Sequence, residues 1–355
     1  MACFFSELSN RPVPPVDQAG HLADAVGARD YGRAFNRNSR AKAVVIHPGA
    51  WLADTCATAS KLPFANSAVP ATVRAQMRKT PTKKIPANDG AAAMPPKAIL
   101  HDKQSERDTR ELRIDKVGVR GLRFPVQVRD KTHGNLQSTV ATIGLFVDLP
   151  KEFKGTHMSR FVEVLNAHGS VIHVENITEI LHAMQRKLHA ATSHLEMEFP
   201  FFLVKQAPAT GMSGVMDYTV RFDAAARGDE IDFVLTVKVN VTTLCPCSKA
   251  ISRFGAHNQR GEVTVAVRSN KIVWIEDIIA LVESSASSEL YSLLKRPDEK
   301  HVTERAYENP VFVEDLVRNV ALRLNALPDV AWYKVEAENF ESIHNHNAYA
   351  CIEKS

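Results

Sequence analysis

Long segments in which apolar and polar residues alternate are the feature that most restricts the fold of this chain. They occur in pairs, separated by segments with an apolar residue at every third or fourth position, which is typical of helices. From residue 114 onward the order strand, strand, helix, helix, strand, strand occurs, and it then occurs again. The predicted strands are residues 114–129, 138–149, 195–206, 215–222, 231–243, 262–268, 330–338 and 348–352, and the predicted helices are 158–167, 176–190, 274–284, 287–295 and 310–325.

This order predicts an α+β protein made of two ββααββ-like units, with antiparallel sheets that carry helices on one face. The units correspond to approximate halves, 97–226 and 227–355, of one catalytic region. A sheet with helices on one face only leaves its other face and its edges exposed to solvent. Association of subunits would bury both. We therefore expect a homo-oligomer.

Residues 1–96 have a different character. They contain ten of the 18 prolines and no sustained period of 2 or 3.6, which predicts an extended and mostly disordered segment. Two explanations stay open: a true extension, or an upstream start codon that lengthens the protein, with Met77 or Met94 as the real start. A peptide from before residue 77 in the native protein would exclude both later starts.

The net charge of +4 is concentrated near the N-terminus. Residues 1–93 hold 12 Lys or Arg and six Asp or Glu, whereas the rest of the chain holds 32 and 34. The nearly neutral remainder gives no reason to expect a nucleic-acid partner. No run approaches the roughly 18 apolar residues that span a bilayer, and the N-terminus lacks the layout of a signal peptide. We expect no membrane partner and a cytoplasmic location.

Two thiols and an imidazole fall in one loop between predicted strands. The loop contains Cys245, Cys247 and His257, whose sulfur and nitrogen atoms are ligands that zinc and similar divalent metals prefer. A closed structural zinc site would use four Cys or His, so this set better suits an open site completed by a carboxylate and water. A pair of buried, half-polar cysteines beside a surface histidine is an equally good explanation of the spacing alone.

Several long motifs in one order resemble those of GTP cyclohydrolases of type IB, and together they run from about Asp102 to Glu353. The central motif is Leu244-Cys-Pro-Cys-Ser-Lys followed by Gly255-Ala-His-Asn-Gln-Arg260. The others are Gly155-Thr-His-Met-Ser-Arg-Phe161, Glu198-Phe-Pro-Phe-Phe202 with Ala207-Pro208, and Ile343-His-Asn-His346. One departure is Ala250, where many relatives carry an acidic residue.

The resemblance implies a tandem tunnelling fold whose subunits join their sheets into an oligomeric barrel. It implies a homotetramer with active sites between subunits. It also implies the activity, which is the hydrolysis of GTP to 7,8-dihydroneopterin triphosphate and formate. Water attacks a cyclic amidine in this reaction, which is the first step of folate and pterin synthesis. In that family a divalent metal, here Zn, Mn or Fe, activates the attacking water.

Carried over motif by motif, the metal ligands are Cys245, His257 and Glu299. Glu299 lies in a stretch expected to form a loop after a helix, where Asp298 and His301 could replace it. Without the resemblance, Glu299 would be a solvated acid among many. Cys247 could replace Cys245, although the family pattern favours Cys245.

The remaining site residues also follow from the resemblance. Glu314 would hold guanine, because a carboxylate can accept both N1–H and N2–H, although a first-turn acid favoured by the helix dipole is a competing explanation. His344 and His346 would be catalytic and move protons, unless they form a polar turn. Candidate cations for the triphosphate are Lys249, Arg260, Arg253, His157 and Arg160.

Two other functions stay open on the residues alone. A tunnelling-fold enzyme such as a deazaguanine nitrile reductase would use Cys245 or Cys247 as a covalent nucleophile. A zinc-stabilised binding module would unfold on chelation, whereas a catalytic metal can be removed with the fold largely intact.

Overall fold

The computed structural model describes residues 102–131, 134–169 and 174–354. The first half contains β1 (Ile114–Arg129), β2 (Leu136–Leu149), α1 (Met158–Ala167), α2 (Val174–Leu188), β3 (Thr192–Gln206) and β4 (Ser213–Arg227). The second contains β5 (Glu230–Leu244), α3 (Pro246–Ile251), β6 (Asn258–Ser269), α4 (Ile275–Glu283), β7 (Ser288–Glu289), α5 (Arg296–Glu308), α6 (Val313–Asn325), β8 (Val330–Asn339) and β9 (Ala348–Lys354). The predicted order of two ββααββ-like units is confirmed, and the predicted disorder of residues 1–96 lies outside the described residues.

All the described strands belong to one antiparallel sheet. Its order is β1-β2-β3-β4-β5-β6-β8-β9, and the short strand β7 pairs with β5. The sheet is continuous across the predicted boundary between halves, because β4 and β5 pair around a tight turn after Arg227. The α+β class is therefore confirmed, and no described helix is long and apolar enough to cross a membrane.

The core lies where the helices cover the sheet. Alternate side chains of β3, among them Leu195, Met197 and Phe199, are almost fully buried. The apolar stripe predicted on α2 packs against them, and its members Ile180 and Met184 are completely buried. The second half repeats this arrangement, with α4 and α6 covering β5 and β8. Burying so much apolar area is the main stabilising term of such a fold.

Three predicted helix boundaries were wrong, and proline explains two of them. Pro297 was expected to stop the helix predicted at 287–295, but this proline lies in the first turn of α5, where its missing N–H costs nothing. The predicted helix 287–295 is replaced by β7 and a loop. Pro310 precedes α6, whose N-cap is Phe312, and Asn309 instead closes α5. The helix predicted to begin at Asn176 begins at Val174, so Asn176 lies inside α2.

Asp298 fixes the start of α5 to the turn between β3 and β4. Its fully buried carboxylate accepts hydrogen bonds from the N–H groups of Ala209, Thr210 and Lys295 and from the Thr210 hydroxyl, at 2.8–2.9 Å. Burial would raise the pKa of Asp298, but these four donors outweigh it and hold the pKa at about 2. The carboxylate therefore has a structural role.

Replacing Asp298 with alanine is expected to lower the melting temperature by about 5 °C or more, because four donors lose their acceptor. The folded pKa of about 2 lies below the ordinary 3.8, so this stabilisation is present above about pH 4 and is lost between about pH 4 and 2. Thermal melts between pH 2 and 7 check both points. The matched control is Glu304→Ala, which removes an exposed acid of the same helix and should change little. Equal effects of the two variants would contradict the assignment.

Candidate active site

Ser248 holds the ends of the Cys/His motif together. Cys245 is the N-cap of α3, and its sulfur accepts a hydrogen bond from the Ser248 N–H at 3.4 Å. The Ser248 hydroxyl donates to the Cys245 carbonyl at 3.1 Å and accepts from the His257 N–H at 3.2 Å. The Cys245 N–H in turn donates to the His257 carbonyl at 3.1 Å. The backbones of Cys245 and His257 are thereby held together, where β5 ends and β6 begins.

A cavity of about 270 Å³ opens beside this motif. It is built from four separate parts of the chain: the end of β5, the start of β6, the first turn of α6 and the segment that joins β8 to β9. Its lining residues are Cys245, His257, Gln259, Val311, Phe312, Val313, Glu314, Asn339, Glu341, His344, His346 and Ala348. A hydrogen bond of 3.1 Å from the Val311 N–H to the Leu244 carbonyl ties the start of α6 to the end of β5.

Five predicted site residues meet in this cavity: Cys245, His257, Glu314, His344 and His346. Glu314 lies in the first turn of α6, as predicted. The rings of His344 and His346 stack with centroids 5.3 Å apart and are exposed to solvent. The cavity thus combines a thiol, imidazoles and a carboxylate.

The other predicted site residues do not line the cavity. Glu299 is exposed in the first turn of α5, and Cys247 is exposed on α3. Lys249 donates a hydrogen bond to the Tyr307 carbonyl, and its ammonium lies 4.4 Å from the Tyr307 ring centre. Arg260 follows Gln259 directly on β6, so it projects from the opposite face of the sheet.

The other cation candidates also lie apart from the cavity. His157 is the N-cap of α1, and its Nε2 is 3.1 Å from an Asp102 oxygen. Arg160 lies in the same helix, and Arg253 lies over the Phe254 ring. No described Lys or Arg side chain lines the cavity, so the Lys and Arg candidates for the triphosphate lie outside it.

Two cavity residues beside His257 were missed by the sequence analysis. Gln259 lies inside the quoted motif, but an amide gave no signal of a role. Glu341 follows β8 and lies three residues before His344; an acid between a strand end and a histidine pair was the signal that could have identified it. Its Oε2 is 3.9 Å from Nδ1 of His257, and both side chains are largely buried.

The donor types fit a divalent metal, but the set is incomplete. A thiolate and an imidazole are ligands that zinc prefers. Among the described residues, however, no three Cys, His, Asp or Glu side chains are grouped closely enough to hold an ion.

Comparison with known proteins places this site in a family. A family model described as type I GTP cyclohydrolase folE2 matches residues 100–350, which include the whole cavity. The GTP cyclohydrolase FolE2 of Akkermansia muciniphila is 63% identical over 258 residues, or 72% of this chain and 97% of that protein. The GTP cyclohydrolase FolE2 of Nitrosococcus oceani is 55% identical over 255 residues, or 72% and 95%.

The similarity to solved structures is weaker than the similarity to these sequences. A uricase from Bacillus fastidious aligns with a TM-score of 0.42 and 8% identity, over 68% of this chain and 92% of that chain. The sequence match is far stronger, and it covers nearly the whole length of the two relatives. This chain therefore belongs to the type I GTP cyclohydrolase folE2 family.

Proposed function

We propose that the protein hydrolyses GTP to 7,8-dihydroneopterin triphosphate and formate, the first step of folate synthesis, in the cavity beside Cys245. Family membership supports this reaction over nitrile reduction or a purely structural zinc module. The observation that carries the proposal is the convergence of Cys245, His257, Glu314, His344 and His346, from three distant parts of the chain, on one cavity.

Glu314 would select guanine. Guanine presents N1–H and N2–H as adjacent donors, and one carboxylate can accept from both, whereas adenine has no such pair. Phe312 and Val313 flank Glu314 and supply apolar surface for a flat base. The purine would therefore lie against the first turn of α6.

Cys245 and His257 would hold the divalent metal, with Glu299 as the proposed third ligand. Glu341 is a less suitable third ligand, because its carboxylate lies on the Nδ1 side of His257. Nδ1 is the ring nitrogen that also contacts the Gln259 amide. When bound, such a metal supplies a Lewis acid that lowers the pKa of water toward neutrality. Zn, Mn and Fe all tolerate a donor set of sulfur, nitrogen and oxygen.

His344 and His346 would move protons during ring opening. Their stacked rings lie at the solvent-facing side of the cavity, where an imidazole can exchange protons with water at neutral pH. Each ring has one donor and one acceptor nitrogen when neutral, so the pair can give one proton and take another.

Incubation with GTP tests the proposal. The purified protein with Zn, Mn or Fe should release formate and give a product that fluoresces after oxidation. Formation of a covalent thioimide with a nitrile substrate, together with the absence of metal, would instead favour a nucleophilic cysteine. No product with any of the three metals would reject the cyclohydrolase proposal.

The functional unit would be a homotetramer with active sites between subunits, in the cytoplasm. Large apolar side chains are exposed at one end of the β3–β4 hairpin: Phe202, Val204 and Val215, with Val204 and Val215 directly paired across the strands. Among the described strands, β1 and β9 are the outermost, and each pairs on one side only. Both features favour burial against another copy of the sheet.

Replacing Val204, whose exposed fraction is 69%, with lysine is expected to weaken assembly. A charge in an apolar interface is costly, so the mass measured by light scattering should fall from that of a tetramer toward the 39.3 kDa of one chain. GTP turnover should fall with it. Leu322→Lys, on the helical side and equally exposed, is the control and should leave the mass unchanged. A monomeric wild type, or a tetrameric Val204→Lys, would contradict the proposed interface.

A further inference from the structure

Gln259 connects His257 to the buried interior of the sheet. Its side-chain oxygen Oε1 is 3.0 Å from Nδ1 of His257, and its Nε2 donates to the Thr243 hydroxyl at 2.9 Å. Gln259 is 8% exposed and Thr243 is completely buried. The three side chains form one hydrogen-bonded row that ends inside the protein.

The sheet holds this row in place. Thr243 and Gln259 are directly paired residues of β5 and β6, so their side chains project side by side from the same face. Because the Gln259 amide nitrogen donates its hydrogen bond to the Thr243 hydroxyl, the amide oxygen is directed at the imidazole. This oxygen accepts hydrogen bonds only, so the proton it meets must be on Nδ1.

The tautomer decides which ring nitrogen can bind a cation. A neutral imidazole with its proton on Nδ1 has its lone pair on Nε2, whereas free histidine in water has both forms available. Partners of this kind on the nitrogen that does not bind the metal orient the ring and raise its affinity as a ligand. Glu341, at 3.9 Å from Nδ1, is beyond hydrogen-bond distance, so Gln259 is the nearer acceptor.

We propose that Gln259 is a positioning residue: anchored by Thr243, it holds the proton of His257 on Nδ1 and leaves Nε2 to bind the divalent cation. This role rests on the proposed metal site. It gives the motif Gly255-Ala-His-Asn-Gln a physical reason for its spacing, since the second residue after the histidine lies beside it at the start of β6.

Zinc affinity, measured by competition with a chromophoric chelator, tests the role without reference to turnover. Gln259→Leu removes the acceptor while keeping the size, and it should weaken zinc binding by about 10–100-fold. Gln259→Glu keeps an oxygen next to Nδ1 and should stay within a few-fold of the wild type. Gln185→Leu is the matched control, because the side chain of this half-buried glutamine of α2 also makes two hydrogen bonds but lies far along the chain from the site. It should bind zinc as the wild type does.

Nitrogen NMR of the zinc-free protein, labelled at histidine, reads the tautomer directly. The His257 signals, assigned with a His257→Gln variant, should show a protonated Nδ1 in the wild type and a shift toward protonated Nε2 in Gln259→Leu. A merely structural glutamine would not move this equilibrium. Unchanged zinc affinity in Gln259→Leu, or a protonated Nε2 in the wild type, would overturn the positioning role of Gln259. If the wild type still turned over GTP, the proposed function would stand. A wild type that binds no zinc and turns over no GTP would overturn both.

Discussion

Cys245→Ala should lose GTP turnover by at least about 10³-fold and should also lose metal binding, because its thiolate is one of the proposed metal ligands. The loss of sulfur also removes the acceptor of the Ser248 N–H, which could loosen α3. Cys245→Ser restores a hydrogen-bond acceptor at this N-cap, so this variant distinguishes an effect on folding from an effect on metal binding and catalysis. Formate release and metal content measured on both variants check the prediction.

Two other cysteines provide the controls. Cys351→Ala removes an exposed thiol of β9 outside the cavity and should keep full turnover. Cys247→Ala should keep the metal, since this thiol is exposed on α3 and does not line the cavity. If Cys245→Ser bound metal and turned over GTP like the wild type, the assignment of Cys245 would be wrong.

Glu314→Gln is expected to reduce kcat/KM for GTP by about 10²–10³-fold. The carboxylate accepts two charge-assisted hydrogen bonds from guanine, whereas the amide of glutamine would place its own N–H donor against one of the guanine N–H donors. Inosine triphosphate lacks the N2 amino group, so its kcat/KM should fall less in the variant. The ratio of the two substrates therefore measures the guanine contact itself. Steady-state kinetics with both nucleotides give this ratio.

Asp315→Asn tests the competing explanation for Glu314, namely that a first-turn acid simply stabilises the helix. Asp315 lies in the same turn of α6 and contributes the same charge near the helix N-terminus. It is 3.3 Å from Arg318 and does not line the cavity. Helix stabilisation alone would make the two variants equally impaired, whereas guanine recognition would leave Asp315→Asn nearly normal.

The sheet could be predicted because its signal is local. Alternating burial follows directly from alternating residue types, so the strands and the buried stripe of α2 agree with the sequence pattern. Proline gave less information, because it can follow the end of one helix or lie in the first turn of the next. Pro297 lies in the first turn of α5. The start of α5 is fixed by the buried carboxylate of Asp298, whose hydrogen-bond donors lie in a turn almost 90 residues earlier.

The site was harder to predict because it depends on contacts between distant segments. The short motif indicated a metal-binding loop, but only the sheet order and the start of α6 place Glu314 beside it. Family resemblance supplied Glu299, which lies outside the cavity and stays a prediction. Glu341 lies in no quoted motif, and Gln259 gave no signal of a role within its motif. Their position beside His257 follows from strand pairing and strand ends.

X-ray absorption at the zinc edge of the loaded protein tests the central claim most directly. One sulfur at about 2.3 Å and nitrogen or oxygen at about 2.0–2.1 Å are expected. The sulfur should vanish in Cys245→Ser and stay in Cys247→Ser. A shell without sulfur, or a sulfur that stays in Cys245→Ser and vanishes in Cys247→Ser, would contradict a metal held by Cys245 and His257.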